Sequence, residues 1–60
     1  MKKFKVLRNN KEEIIEEQAL REMLFNKCGV TPNFLLMMKN LNVTEGMTHF
    51  ESMTEITRIE

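Results

Sequence analysis

The side chains best equipped for chemistry are Cys28 and His49, the single cysteine and the single histidine of the chain. A thiolate beside an imidazole would make a nucleophile and its base if the fold brought the two together. A free cysteine otherwise behaves as a small, often buried hydrophobe. Cys28 closes an apolar stretch just before Gly29, which favours that role, and His49 is expected at a solvated edge. Glu12 and Glu13 stand four residues before Glu16 and Glu17. On a helix these carboxylates would face the same way one turn apart, where acids suit the positive end of the helix dipole without any catalytic role. Gly29 and Gly46 are the only glycines, too few for a phosphate-cradling loop. One thiol and one imidazole cannot close a structural zinc site. The expectation is a protein that is not an enzyme, with no catalytic residue, metal, cofactor or small-molecule substrate.

The methionines and their apolar neighbours carry more information. Phe34-Leu35-Leu36-Met37-Met38 is a run of consecutive apolar residues longer than one helical turn. A helix apolar on every side is buried on every side, and a chain this short has little with which to cover it. Methionine repacks easily and suits surfaces that must fit a partner. The candidate interface is therefore Phe34, Leu35, Met37, Met38 and Leu41, with Phe50 and Met53 as a second choice.

The elements that would position these residues follow from local signals. Lys3-Phe4-Lys5-Val6-Leu7 alternates polar and apolar and reads as a short strand. Asn9-Asn10 ends it and offers a helix N-cap, with Glu12 or Glu13 completing a capping box. A first helix is expected over 11–28, with Ile14, Ile15, Ala19, Leu20, Met23 and Leu24 along an apolar stripe. Gly29 stops it in the left-handed conformation, and Val30 is placed for the hydrophobic contact of a Schellman motif. Thr31 as N-cap and Pro32 at the first helical position start a second helix over 32–41. A third helix is expected over 44–58. Its end, Thr54-Glu55-Ile56-Thr57-Arg58-Ile59, is rich in β-branched residues and alternatively reads as a strand pairing with Phe4 to Leu7. The expected fold class is mainly α: one domain over 1–60, a strand or basic arm at 1–9, then a helical hairpin and a C-terminal helix.

Size and charge point to association. The chain has 60 residues, and a domain of that length buries only about 60% of the surface its unfolded form exposes. Small scaffolds commonly add disulfides, a metal or a second subunit. With disulfides excluded within the chain and too few ligands for a structural zinc, a second chain is the remaining staple, and a homodimer through the second helix is expected. The net charge is zero, with 9 basic and 9 acidic residues. Lys2, Lys3, Lys5, Arg8 and Lys11 precede every acid, and Glu12, Glu13, Glu16 and Glu17 follow. These are either a solvated strand end and a solvated helix face, or complementary patches that pair between subunits. A lone thiol and an N-terminus without an export-length apolar stretch suggest a cytoplasmic protein. No segment approaches the roughly 20 apolar residues of a membrane span.

The segment Leu24-Phe25-Asn26-Lys27-Cys28-Gly29-Val30-Thr31-Pro32-Asn33-Phe34-Leu35 resembles the core of a bacterial helix-turn-helix. That resemblance implies a dimeric DNA-binding transcriptional regulator, with the basic N-terminal arm on phosphates. It departs from the motif in the would-be recognition helix, which offers Asn33, Lys39 and Asn40 among Phe, Leu and Met, where polar groups and cations should read the groove. The favoured expectation is a small intracellular regulator or inhibitor that binds a larger protein, in size and style similar to accessory proteins of bacteria and their phages that block host enzymes or defence systems. A structural subunit of a larger assembly is the other alternative.

Overall fold

The computed structural model describes residues 2–60. Strands β1 (Lys3–Arg8) and β2 (Lys11–Glu16) are followed by helix α1 (Glu17–Met23), which runs on into a π-helical turn (Leu24–Cys28). Helix α2 (Pro32–Lys39) and strands β3 (Gly46–His49) and β4 (Thr54–Arg58) complete the chain. The strands form one antiparallel sheet in the order β2-β1-β4-β3. The mainly helical architecture expected from the sequence is therefore overturned: this is an α+β fold.

Two segments account for the correction. The first is 11–16, expected to open a long helix. Asn9 (φ 53°) and Asn10 (φ 62°) both adopt left-handed conformations, which makes them the two-residue turn whose twist matches a hairpin. Asparagine tolerates this conformation better than most residues, so the pair reverses the chain here where a helix cap was expected. Ile14 and Ile15 then fall on opposite faces of β2, with Ile15 against the core and Ile14 in water. The second is 44–58, expected as a third helix. It forms β3, a turn over 50–53, and β4. The alternative reading of its end was the right one: β4 pairs with β1 from Phe4 opposite Arg58 to Leu7 opposite Glu55.

Thr44 begins this hairpin with a bulge. Its N–H donates to the Arg58 carbonyl (2.8 Å), and Arg58 N–H donates to the Glu45 carbonyl (2.9 Å). Thr44 sits at φ 79°, in the position of such a bulge that glycine usually fills. Two residues on, Gly46 passes so close to β4 that a Cβ would lie 2.9 Å from the Ile56 carbonyl oxygen.

The helical signals around residues 29–32 behave as their chemistry dictates. Gly29 is left-handed at φ 64°. The Val30 N–H returns to the Leu24 carbonyl (3.3 Å), one residue further back than in a Schellman cap because the last turn is π-helical. Val30 is buried. The Thr31 hydroxyl accepts from Phe34 N–H (3.2 Å), and Pro32 opens α2.

One face of the sheet and the inner sides of both helices enclose the core. It comprises Phe4, Val6, Leu20, Leu24, Val30, Met38 and Ile56, flanked by Ile15, Met23, Phe34, Leu35, Leu41 and Met47. The ends are tied by long cations. Arg58 donates to the Leu41 carbonyl (2.8 Å), holding the α2–β3 connection. Lys2 donates to the Lys39 carbonyl (2.6 Å) at the end of α2 and lies 3.8 Å from Glu17 Oε2 at the start of α1. That oxygen accepts no hydrogen bond, so Lys2 compensates it by charge alone.

The basic and acidic runs of the sequence meet inside the chain. Their cross-strand register sets Lys3 opposite Glu16 and Lys5 opposite Ile14 on the open face of the sheet. Most of both runs thus lies on neighbouring strands of one hairpin, where Lys3 and Glu16 are the one opposed pair of opposite charge.

Candidate functional site

The thiol and the imidazole each find other company. Cys28 is half-buried at the end of the π-helical turn, against the core. His49 ends β3, and its Nδ1 shares a hydrogen bond with Ser52 Oγ at 2.7 Å. Its ring meets Phe34 edge to face, with centroids 5.2 Å apart. Ser52 Oγ also bonds Thr54 Oγ1 at 2.9 Å, and Thr54 is fully buried. A serine against an imidazole is the geometry of an activated nucleophile. Such a base is oriented by a further acceptor, and the reacting oxygen is held by converging N–H donors. Here the further group, Thr54, bonds the serine and not the imidazole. The chain His49–Ser52–Thr54 closes the β3–β4 turn and satisfies a buried hydroxyl. Sequence reasoning left Ser52 and Thr54 aside; the pattern His-x-x-Ser-x-Thr across a strand turn is the signal that could have found them.

The glutamates expected on one helical face are divided by the strand. Glu12 and Glu16 project from the open face of the sheet, while Glu13 lies on the core side opposite Val6. Glu13 joins Arg8 and Lys11 around a cavity of about 240 Å³ floored by Val6, Ile15 and Met23. Arg8 and Lys11 are directly opposite in register, a like-charge pair that costs stability. The cavity falls below the usual range of small-molecule sites, about 300–1,000 Å³, and its rim carries both signs of charge. Among the described residues, no group of three His, Cys, Asp or Glu side chains converges to hold a metal ion. None of the helices described is long and apolar enough to cross a membrane.

The candidate interface residues divide into three groups. Met38 is fully buried in the core and presents no surface to another chain. Phe34, Leu35 and Leu41 are half-buried against that core. Met37 is 55% exposed on α2, while Phe50 (77%) and Met53 (69%) are exposed in the β3–β4 turn. The structure adds two residues that the sequence reading did not single out: Phe25 (58% exposed) on the π-helical turn and Leu36 (56%) on α2. Two shallow depressions between the helices share Arg21 and Leu35; Phe25 lines one and Leu36 the other. Phe25, Leu35 and Leu36 are thus the large apolar side chains of two adjoining depressions that Arg21 also lines. Gln18, Glu22, Asn26 and Lys39 supply the rest of their polar lining. Comparison of the chain with protein-family models, with curated proteins and with solved structures finds no match.

Proposed function

We propose that this chain is a small, non-catalytic regulator or inhibitor that acts by laying the outer face of its helical layer on a larger protein. The observation that carries this reading is the set of exposed apolar side chains Phe25, Leu36 and Met37 on the helical layer, which the core is formed without. Contiguous exposed apolar surface with a polar rim is the usual form of a protein contact. DNA binding has less support. The exposed residues of α2 are Pro32, Asn33, Leu36, Met37 and Lys39, of which only Asn33 and Lys39 offer the polar or cationic groups a groove reader needs. Lys2 and Lys3, the arm that would meet phosphates, are 3.8 and 3.7 Å from Glu17 and Glu60.

The test compares the wild-type chain with the Leu36→Glu/Met37→Glu double variant as bait in lysate of the source organism. Both should melt at nearly the same temperature, because both residues are exposed. A specific protein retained by the wild type and lost by the variant is the expected result. Equal retention by both would remove the helical face from the reading. If the retained protein kept its full activity when bound, the chain would be a structural subunit and not a regulator.

A further inference from the structure

At the turn end of the β1–β2 hairpin, the core side of the sheet is only partly covered. Of the residues around the cavity there, Met23 alone belongs to a helix. Val6, Ile15 and Met23 make an apolar floor, with Val6 buried and the other two half-buried. Side chains two apart on a strand share a face, so Arg8 follows Val6 on the core side. The register adds Lys11 opposite Arg8 and Glu13 opposite Val6.

These three charges lack the partners that a purely structural role would give them. At the other end of the same hairpin Lys3 stands opposite Glu16, the ordinary arrangement of opposite signs. Here a cation faces a cation, and Glu13 lies one pair inward, about 7 Å along the strand from Lys11. Among the described residues the ion pairs are Lys2 with Glu17 and Lys3 with Glu60, so Glu13 compensates neither cation. None of the three side chains makes a hydrogen bond to another described residue. The cavity they surround, about 240 Å³, is too small for a nucleotide or a large cofactor but holds a molecule of one amino acid's size.

We propose that this cavity binds a free α-amino acid with an aliphatic side chain, which is held and not converted. Its carboxylate lies between Arg8 and Lys11 and relieves the repulsion of that pair. Its ammonium turns to Glu13, and its side chain rests on Val6, Ile15 and Met23. A ligand with one charge fits less well. A plain carboxylate leaves Glu13 facing an anion, and a plain amine meets two cations. Because three different groups of one chiral centre meet three different surfaces, the site distinguishes enantiomers. The cavity shares no residue with the depressions of the helical layer, so this inference stands apart from the protein-binding reading.

The test is a titration of leucine into the full chain, followed by amide NMR up to about 100 mM, because a small open site should half-saturate at about 1–10 mM. Shifts should saturate at Val6, Glu13 and Ile15 and leave Leu36 and Met37 unmoved. Isocaproate is leucine without its ammonium, and isoamylamine is leucine without its carboxylate. Each should bind about two- to fivefold more weakly, the worth of one exposed ion pair. L-leucine and D-leucine should differ in half-saturation. Lys11→Gln removes the like-charge pair, so it should melt no lower than the wild type and yet bind leucine about two- to fivefold more weakly. Glu13→Gln should abolish the preference for leucine over isocaproate. Shifts that never saturate, equal binding of leucine and either analogue, or equal binding of the enantiomers would overturn the proposal. So would unchanged leucine binding by a folded Lys11→Gln chain, or a preference kept in full by Glu13→Gln. The Leu36→Glu/Met37→Glu variant should bind leucine as the wild type does, so that failure of either proposal leaves the other standing.

Discussion

The open face of the sheet and the outer face of the helical layer both expose apolar side chains, but they do so differently. On the sheet, Ile14 faces Lys5 across the β1–β2 ladder, and Leu7 stands between Glu12 and Glu55. Each apolar side chain is isolated among charges, as ordinary solvated surface is. On the helices, Leu35 lines a depression with Phe25 and a second with Leu36, so that the apolar side chains lie closer together, with Arg21 lining both. Exposure of single hydrophobic residues is therefore uninformative here, and contiguity is what separates a contact face from a wetted one.

The largest effect that tests this contrast lies within α2. Met38→Ala should cost about 2–5 kcal/mol, through lost burial and the cavity left behind. That is much of the stability a domain of this size possesses. Met37→Ala, one residue away, should change stability by less than about 0.5 kcal/mol. Urea titrations of the two variants decide the matter, and comparable losses would mean that α2 presents a different side to the sheet. A smaller effect tests the backbone that frames the open face. Thr44→Gly removes a β-branched residue from the left-handed region and should raise stability by about 1 kcal/mol. Thermal unfolding should then shift upward by about 4–8 °C; a fall in midpoint would contradict the bulge. The smallest effect concerns the charges of the open face. Lys3→Glu sets two carboxylates opposite each other, with that of Glu60 as a third nearby. The expected loss is about 0.2–1 kcal/mol at low salt and less at high salt. A loss that does not diminish with salt would point to packing and not charge.

Much of the local structure was legible. β1 announced itself by alternation, and Gly29, Thr31 and Pro32 marked the break between the helices because each acts on its own immediate backbone. The β2 strand was illegible for a related reason. Asn10 followed by glutamates serves equally as a helix cap and as half of a hairpin turn, and Ile14-Ile15 fits either a helical stripe or a strand that uses both faces. The candidate surface was partly legible: Met37, Phe50 and Met53 are exposed, whereas Met38 in the same run is core. A run apolar on all sides contains no information about which side the sheet will cover.

The sequence by itself determined where α2 begins, where the preceding helix ends, that a strand opens the chain, and that Cys28 has no second cysteine to join. These follow from backbone stereochemistry, capping and composition, which act within a few residues. Only the tertiary structure decided that residues 11–16, 46–49 and 54–58 are strands. β1 needed partners for its backbone groups on both sides, and β2 and β4 supply them from the two ends of the chain. That requirement also placed Lys3 against Glu16 within one hairpin, turned His49 towards Ser52, and left β3 as the uncharged edge.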